Sequence, residues 1–255
     1  MDYLIFGTIG IAVGIAGAML GIGGGVVIVP LLSFVFGCTP QQAIGTSMFV
    51  VLLNGLSGAF GYLRQKKVFL DAAWKFSLAT VPGAFLGSYV SEYLKGKLFF
   101  LVFGIFFFCF SIHMYRKAGK QPASDEPAVA SDVPKNYNWK LGVATSTIVG
   151  FLASILGIGG GVIHVPMMTY LLHFPVKVAI ATSTAILAIS AVVGVISHSM
   201  LGHIIWSTAV SIGVGASIGA QIGVHIAAKT KSKLLMRATS FLVMATALKF
   251  LFNSF

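Results

Sequence analysis

Few side chains in this sequence are able to do chemistry, and where they are missing matters as much as where they stand. The acidic residues are Asp2, Asp71, Glu92, Asp125, Glu126 and Asp132, and all fall at the ends of apolar runs or in one polar stretch. None sits in the middle of a run, where a cation carrier or proton pump keeps a carboxylate. Among the histidines, His164 stands out because it lies inside an apolar run. Its imidazole is either a protonatable partner for a transported group or a hydrogen-bonded packing residue. His198 and His203 are five positions apart, a poor spacing for sharing a metal on one helix face. Cys38 and Cys109 are the only cysteines and form no CxxC pair, so zinc ribbons, iron–sulfur clusters and haem attachment have no support. There is no Ser-His-Asp set, carboxylate pair or metal-ligand cluster. No enzyme activity, cofactor or metal is expected.

What remains is backbone chemistry. The stretch Leu20-Gly21-Ile22-Gly23-Gly24-Gly25-Val26 recurs unchanged as Leu156-Gly157-Ile158-Gly159-Gly160-Gly161-Val162, at an offset of 136 (157 − 21). Each copy lies in an apolar run and is followed by a proline, Pro30 or Pro166. Adjacent glycines cost about 1 kcal/mol each against alanine inside a helix, so each copy reads as a break between two helices. A helix starting at Gly23–Gly25 or Gly159–Gly161 has free N–H groups and about half a positive charge at its start. Glycines let a ligand approach that backbone closely, which makes an anion site without a buried lysine. The competing reading is that the glycines only permit tight packing. Thr46, Ser47, Thr182 and Ser183 place hydroxyls near the start of the following helix in each half. They either donate to a small oxyanion or bond back to their own helix. A dinucleotide site is rejected: Gly21-x-Gly23 lacks the full GxGxxG spacing, and no acidic residue follows some 20 positions on.

The elements that must position these groups follow from composition. The 255 residues are 57% hydrophobic and 9% charged, with a mean hydropathy of +0.94. Soluble domains carry roughly a quarter charged residues, so the chain reads as an all-α polytopic membrane protein with 8 to 10 membrane helices. The net charge of +11 is spread between apolar runs as an orientation signal rather than on a nucleic-acid-binding face. The start of the chain lacks a basic region and a small-residue cleavage site, which argues against a removable signal peptide.

Residues 3–36 are apolar apart from the glycine motif. They exceed the roughly 20 residues of one spanning helix, and read as pieces near 3–20 and 25–36. Thr39, Pro40 and Gln42 form a capping box opening a helix over about 42–63. A further helix covers 72–91, with Pro82-Gly83 as a kink point and Gly83/Gly87 as a close-contact pair. The Phe-rich stretch 98–114 reads as a lipid-facing helix. Residues 116–140, with prolines 122, 127 and 134, form a polar linker. It separates a first membrane repeat, 1–115, from a second, 141–255. The register holds across the halves: Thr182-Ser183 matches Thr46-Ser47, Gly219 matches Gly83, and Lys231 and Lys233 match Lys95 and Lys97.

Charge chooses between two topologies. If each broken segment returns to its starting side, the halves are inverted repeats and one face carries twelve basic residues, leaving Lys95 and Lys97 opposite. If each segment crosses once, the division is six against eight. The positive-inside rule prefers the inverted reading, with the linker in the cytoplasm.

The duplicated LGIGGGxxxxP, at Leu20–Pro30 and Leu156–Pro166, resembles that of the sulfite exporter TauE/SafE family of membrane permeases. The Thr-Ser pairs in Ala43–Ser47 and Ala179–Ser183 resemble it too. The resemblance implies a secondary transporter in the bacterial inner membrane that moves a small sulfur-containing anion such as sulfite or an organosulfonate. On this reading the anion lies between Gly23, Gly24, Gly25 and Gly159, Gly160, Gly161. Thr46, Ser47, Thr182 and Ser183 assist, and His164 is the candidate for proton coupling. The expected partners are the small anion and the lipid bilayer, with no nucleic acid; a homo-oligomer stays open. A small-solute or anion channel and a non-transporting membrane scaffold are the alternatives.

Overall fold

In the computed structural model, residues 2–93, 96–118 and 128–252 are described. They form helices and no strand. Before the linker come α1 (Asp2–Leu20), α2 (Gly25–Phe34), α3 (Pro40–Arg64), α4 (Leu70–Val90) and α5 (Gly96–Ala118). After it come α6 (Trp139–Leu156), α7 (Gly161–Tyr170), α8 (Val176–Met200), α9 (Trp206–Lys229) and α10 (Ser232–Phe252). Among the described residues five of these, α3, α6, α8, α9 and α10, are long and apolar enough to cross a membrane. The linker is shorter than its composition predicts, because α5 runs to Ala118 and α6 starts at Trp139. Its residues 119–127 lie outside the described part.

Local signals set the helix boundaries. The Thr39 hydroxyl accepts from the Gln42 amide at 3.3 Å, and the Gln42 side chain accepts from the Thr39 amide at 3.2 Å, closing the expected box. Helix α4 runs unbroken through Pro82. Helix α5 differs from the lipid-facing expectation. Phe103, Phe107 and Met114 are buried, about one helical turn or two apart, and α5 packs along α10. The Phe100 and Phe250 rings stack there at 5.8 Å.

Small residues let backbones pair closely. A Cβ on Gly83 would lie 2.1 Å from the Thr147 carbonyl oxygen, and one on Gly87 2.4 Å from that of Phe151. Helices α4 and α6 therefore run side by side in the same direction at backbone contact. Helix α1 pairs with α9 in the same manner: Gly215, Gly219 and Gly223 face Gly7, Ile11 and Ile15. Helices α3 and α8 run antiparallel through the middle, with Gly55 on Ala188 and Gly58 on Thr184.

Apart from the two glycine breaks, the described loops lie at one of two ends. At the linker end, Phe69 meets Phe174 and Tyr137, the Ala130 amide donates to the Lys66 carbonyl at 3.1 Å, and Lys177 reaches Ala228. At the other end, Phe6 meets Phe36 at 5.0 Å, and His203 faces Glu92. The Phe6–Phe36 contact joins the start of α1 to the loop after α2. The first broken segment thus returns to the end it came from. The contact of Tyr137 with Phe174 at 5.3 Å shows the same return for α6 and α7.

Candidate functional site

The two glycine motifs meet each other in the core. Gly21, Gly23 and Gly24 have φ of 70, 74 and 85°, and Gly157, Gly159 and Gly160 have 68, 71 and 81°. This left-handed backbone costs an ordinary residue about 1–2 kcal/mol per position, which explains three of the four glycines in each copy. The fourth has a different reason. A Cβ on Gly25 would lie 2.4 Å from the Gly157 carbonyl oxygen, and one on Gly161 2.1 Å from that of Gly21. The start of α2 therefore abuts the second break, and the start of α7 abuts the first. The amides of Gly24, Gly25 and Val26 precede the first intrahelical bond of α2, made by Val27 to the Gly24 carbonyl at 3.0 Å. Gly160, Gly161 and Val162 stand in the same position before Ile163. Val51 of α3 and Leu187 of α8 pack on both Gly23 and Gly159 and fill the space between the breaks.

The predicted hydroxyls are brought to these breaks, with a division of labour the sequence did not reveal. The Ser47 hydroxyl donates to the Gly157 carbonyl at 2.7 Å, and Ser183 donates to Gly21 at 3.0 Å. Each serine therefore ties its own half to the break of the other half. Thr46 accepts from the Ile205 amide at 3.0 Å, and Thr182 accepts from the Phe69 amide at 3.0 Å. Ile205 and Phe69 are the N-cap positions of α9 and α4, so the threonines satisfy amides that open helices. Neither pair bonds back to its own helix. All four residues are fully buried.

His164 is buried in the first turn of α7. Its Nε2 lies 3.2 Å from the Ser146 hydroxyl of α6. Its Nδ1 makes no hydrogen bond and lies over Gly160, 3.4 Å from where a Cβ would stand. No acidic residue is paired with it. A further buried polar group, Asn54 at the middle of α3, donates from Nδ2 to the Gly14 carbonyl at 3.2 Å and leaves Oδ1 unpartnered.

Two clusters at the ends of α3 and α8 escaped the sequence reading. At the linker end Tyr62, Lys67 and Lys177 converge with Ile180, Ala227, Ala228 and Leu235 around a closed seam. At the other end Gln41, Glu92, Tyr93 and His203 line an open cavity of about 590 Å³. His198 and His203, set aside for their spacing, touch through Nδ1 atoms 3.0 Å apart, because the chain turns between them after α8. Among the described residues no group of three His, Cys, Asp or Glu side chains is placed to hold a metal. The available signal was the offset itself: Lys67 and His203, Tyr62 and His198, and Gln41 and Lys177 are each 136 apart.

The sequence profile of the sulfite exporter TauE/SafE family matches residues 6–250. The chain belongs to this family. Among curated relatives, the probable membrane transporter protein YunE of Bacillus subtilis is 34% identical over 252 residues, covering 92% of each chain. A probable membrane transporter protein of Methanocaldococcus jannaschii is 30% identical over 200 residues, 74% of this chain and 70% of its own. One from Xylella fastidiosa is 26% identical over 245 residues, covering 95% of this chain and 92% of its own. No solved structure matches. With its apolar helices, this TauE/SafE member is a multi-pass membrane protein of a transporter family, in keeping with a non-enzyme.

Proposed function

We propose that this TauE/SafE member is a secondary carrier that moves a small sulfur-containing anion, such as sulfite or an organosulfonate, by alternating access. Two inverted halves rock about the α3–α8 pair. The anion is held by the amides that open α2 and α7, at Gly23–Gly25 and Gly159–Gly161, when Val51 and Leu187 withdraw from between them. Ser47 and Ser183 exchange their carbonyl partners for the anion, and Thr46 and Thr182 fix the flanking helices. His164, with a free Nδ1 over Gly160, is the protonatable group of the site.

The observation that carries this reading is the pair of helix starts abutting at the core with no carboxylate beside them. Two positive helix ends at backbone contact favour negative charge between them. The inverted arrangement is supported by matching contacts: α1 lies on α9 as α6 lies on α4, and Ser47 on Gly157 as Ser183 on Gly21. The loops and helix ends at the linker end carry Arg64, Lys66, Lys67, Lys135, Lys140, Lys177, Lys229, Lys231 and Lys233, which supports a cytoplasmic linker in the bacterial inner membrane. A channel needs a continuous aqueous path, whereas the seam at Tyr62, Lys67 and Lys177 has no room for a water molecule.

The test is uptake of labelled sulfite and of an organosulfonate into proteoliposomes. A carrier gives saturable flux and counterflow, and Gly24→Leu and Gly160→Leu abolish it in protein that still folds. Flux that never saturates and lacks counterflow rules out the carrier. Unchanged flux in both variants rules out the glycine site.

A further inference from the structure

The two end clusters are counterparts that differ in state and in charge. Tyr62 donates to the Ala18 carbonyl at 2.9 Å, and His198, 136 positions later, has Nε2 at 3.3 Å from the carbonyl of Ser154, 136 after Ala18. These bonds mark the same place in each half. His198 touches His203, which with Gln41, Glu92 and Tyr93 lines the open cavity of about 590 Å³. Around Tyr62 the corresponding positions hold Lys177 for Gln41, Ala228 for Glu92 and Lys67 for His203, and the space is shut. Among the described residues, the Glu92 end has an open cavity, whereas the seam at Tyr62, Lys67 and Lys177 has no room for a water molecule.

The closed mouth holds an unusual charge set. Lys177 is 9% exposed, and its Nζ donates to the Ala228 carbonyl at 3.0 Å. Lys67 is half-buried, and its Nζ donates to the Gln65 side chain at 2.8 Å. Among the described residues neither ammonium has a carboxylate within ion-pair distance. Glu92, the acid shown lining the opposite mouth, is replaced here by Ala228. Burial, and after it the charge of Lys177, hold Lys67 below the usual lysine range. Neutral oxygens are the partners shown for both ammoniums, and buried charge is retained at low cost only when paired.

We propose that Lys67 and Lys177 form a second anion-binding site, at the linker-end mouth, which takes a small oxyanion of the sulfite or sulfate type when that mouth opens. Its opening rests on the carrier reading above; its chemistry rests on the two ammoniums alone. The Lys67–Lys177 pair at this mouth and the Glu92–His203 pair at the other make the two ends of the path unequal. An anion then binds more tightly at the lysine mouth and leaves more readily past Glu92. A lipid headgroup offers the same oxyanion chemistry. The free anion is favoured because Lys177 and Tyr62 are enclosed by α3, α8, α9 and α10.

The experiment is amine footprinting of the full-length protein in nanodiscs, read by mass spectrometry residue by residue. Discs of phosphatidylcholine alone are compared with discs containing phosphatidylglycerol, with and without millimolar sulfate or sulfite. The expected result is that either anion slows acetylation of Lys67 and Lys177 about tenfold in phosphatidylcholine, leaving Lys135 and Lys140 unchanged. Gly24→Leu, which addresses the central site, preserves that protection. In proteoliposomes, Lys67→Gln with Lys177→Gln raises the KM for anion presented from the linker side about tenfold. Equal labelling with and without anion overturns the proposal. So does protection conferred by phosphatidylglycerol alone. Protection in a parent protein that shows no flux for either anion refutes the carrier reading and keeps the lysine site.

Discussion

Replacing Gly161 by alanine tests whether the two breaks meet at their backbones. The added Cβ would stand 2.1 Å from the Gly21 carbonyl oxygen and 2.8 Å from the Ile22 Cα, where ordinary contact begins near 3.4 Å. Both obstacles are main chain and cannot swing aside, so α7 must retreat from the first break. Overpacking of a tight core costs about 1–3 kcal/mol, and a backbone obstacle belongs at the upper end. At roughly 2–4 °C per kcal/mol for a chain of this size, Gly161→Ala should melt about 6–12 °C below the parent in detergent. Gly25→Ala should behave alike, since its Cβ would stand 2.4 Å from the Gly157 oxygen. Gly7→Ala is the control. Nothing lies within 4 Å of its Cβ, and relief of helical glycine is worth about 0.5–1 kcal/mol, so its midpoint should rise slightly. The measurement is a fluorescence melt of the three variants side by side. A Gly161→Ala midpoint at or above that of the parent would refute the packing described for the breaks.

Ser183→Ala leaves the Gly21 carbonyl without its side-chain partner in the core, which should cost about 1–3 kcal/mol in the same melt; no change would mean that carbonyl has another partner. Thr39→Ala removes the cap of α3 and should cost about 1 kcal/mol, while Thr39→Ser should restore most of it. For pH, burial holds His203 below its ordinary range and the Glu92 carboxylate partly offsets this. The unfolded chain therefore binds its proton more readily, so stability is full above about 6.5 and falls as pH drops. The gap between the melting midpoints of the parent and His203→Gln should narrow or reverse from pH 7.5 to 5, and Glu92→Gln should steepen the parent's loss. Parallel curves would remove His203 as the source.

Much of the fold was legible because a membrane makes backbone rules strict. The runs of apolar residues and the glycine breaks fixed α1, α2, α6 and α7 to within a residue or two. Thr39-Pro40-x-Gln42 fixed the start of α3. Lys and Arg counts favour a returning segment over a crossing one, and Phe36 lies against Phe6 near the start of α1. The Phe-rich α5 misled because phenylalanine serves lipid and helix packing equally well, and composition does not say which face turns inward. The partners of the hydroxyls were not legible for another reason. Thr46 and Ser47 are adjacent, so they point in different directions, and one satisfies an amide while the other satisfies a carbonyl. Their partners lie 159 and 110 positions away, a separation no local pattern encodes. The contact between His198 and His203 was not legible, because a helix-face argument does not extend past the end of α8 at Met200.

The crossed serine bonds have a consequence for how such a chain is built. Gly21 is served by Ser183, Gly157 by Ser47, the Phe69 amide by Thr182 and the Ile205 amide by Thr46. Every one of these bonds joins the segment before the linker to the segment after it. Either segment made alone would leave its own break unsealed and the first amide of a helix unsatisfied in lipid. Two copies of one segment, facing each other head to tail, would supply all four. Cutting the chain within the linker should therefore spare the assembled protein, while deleting either segment should not.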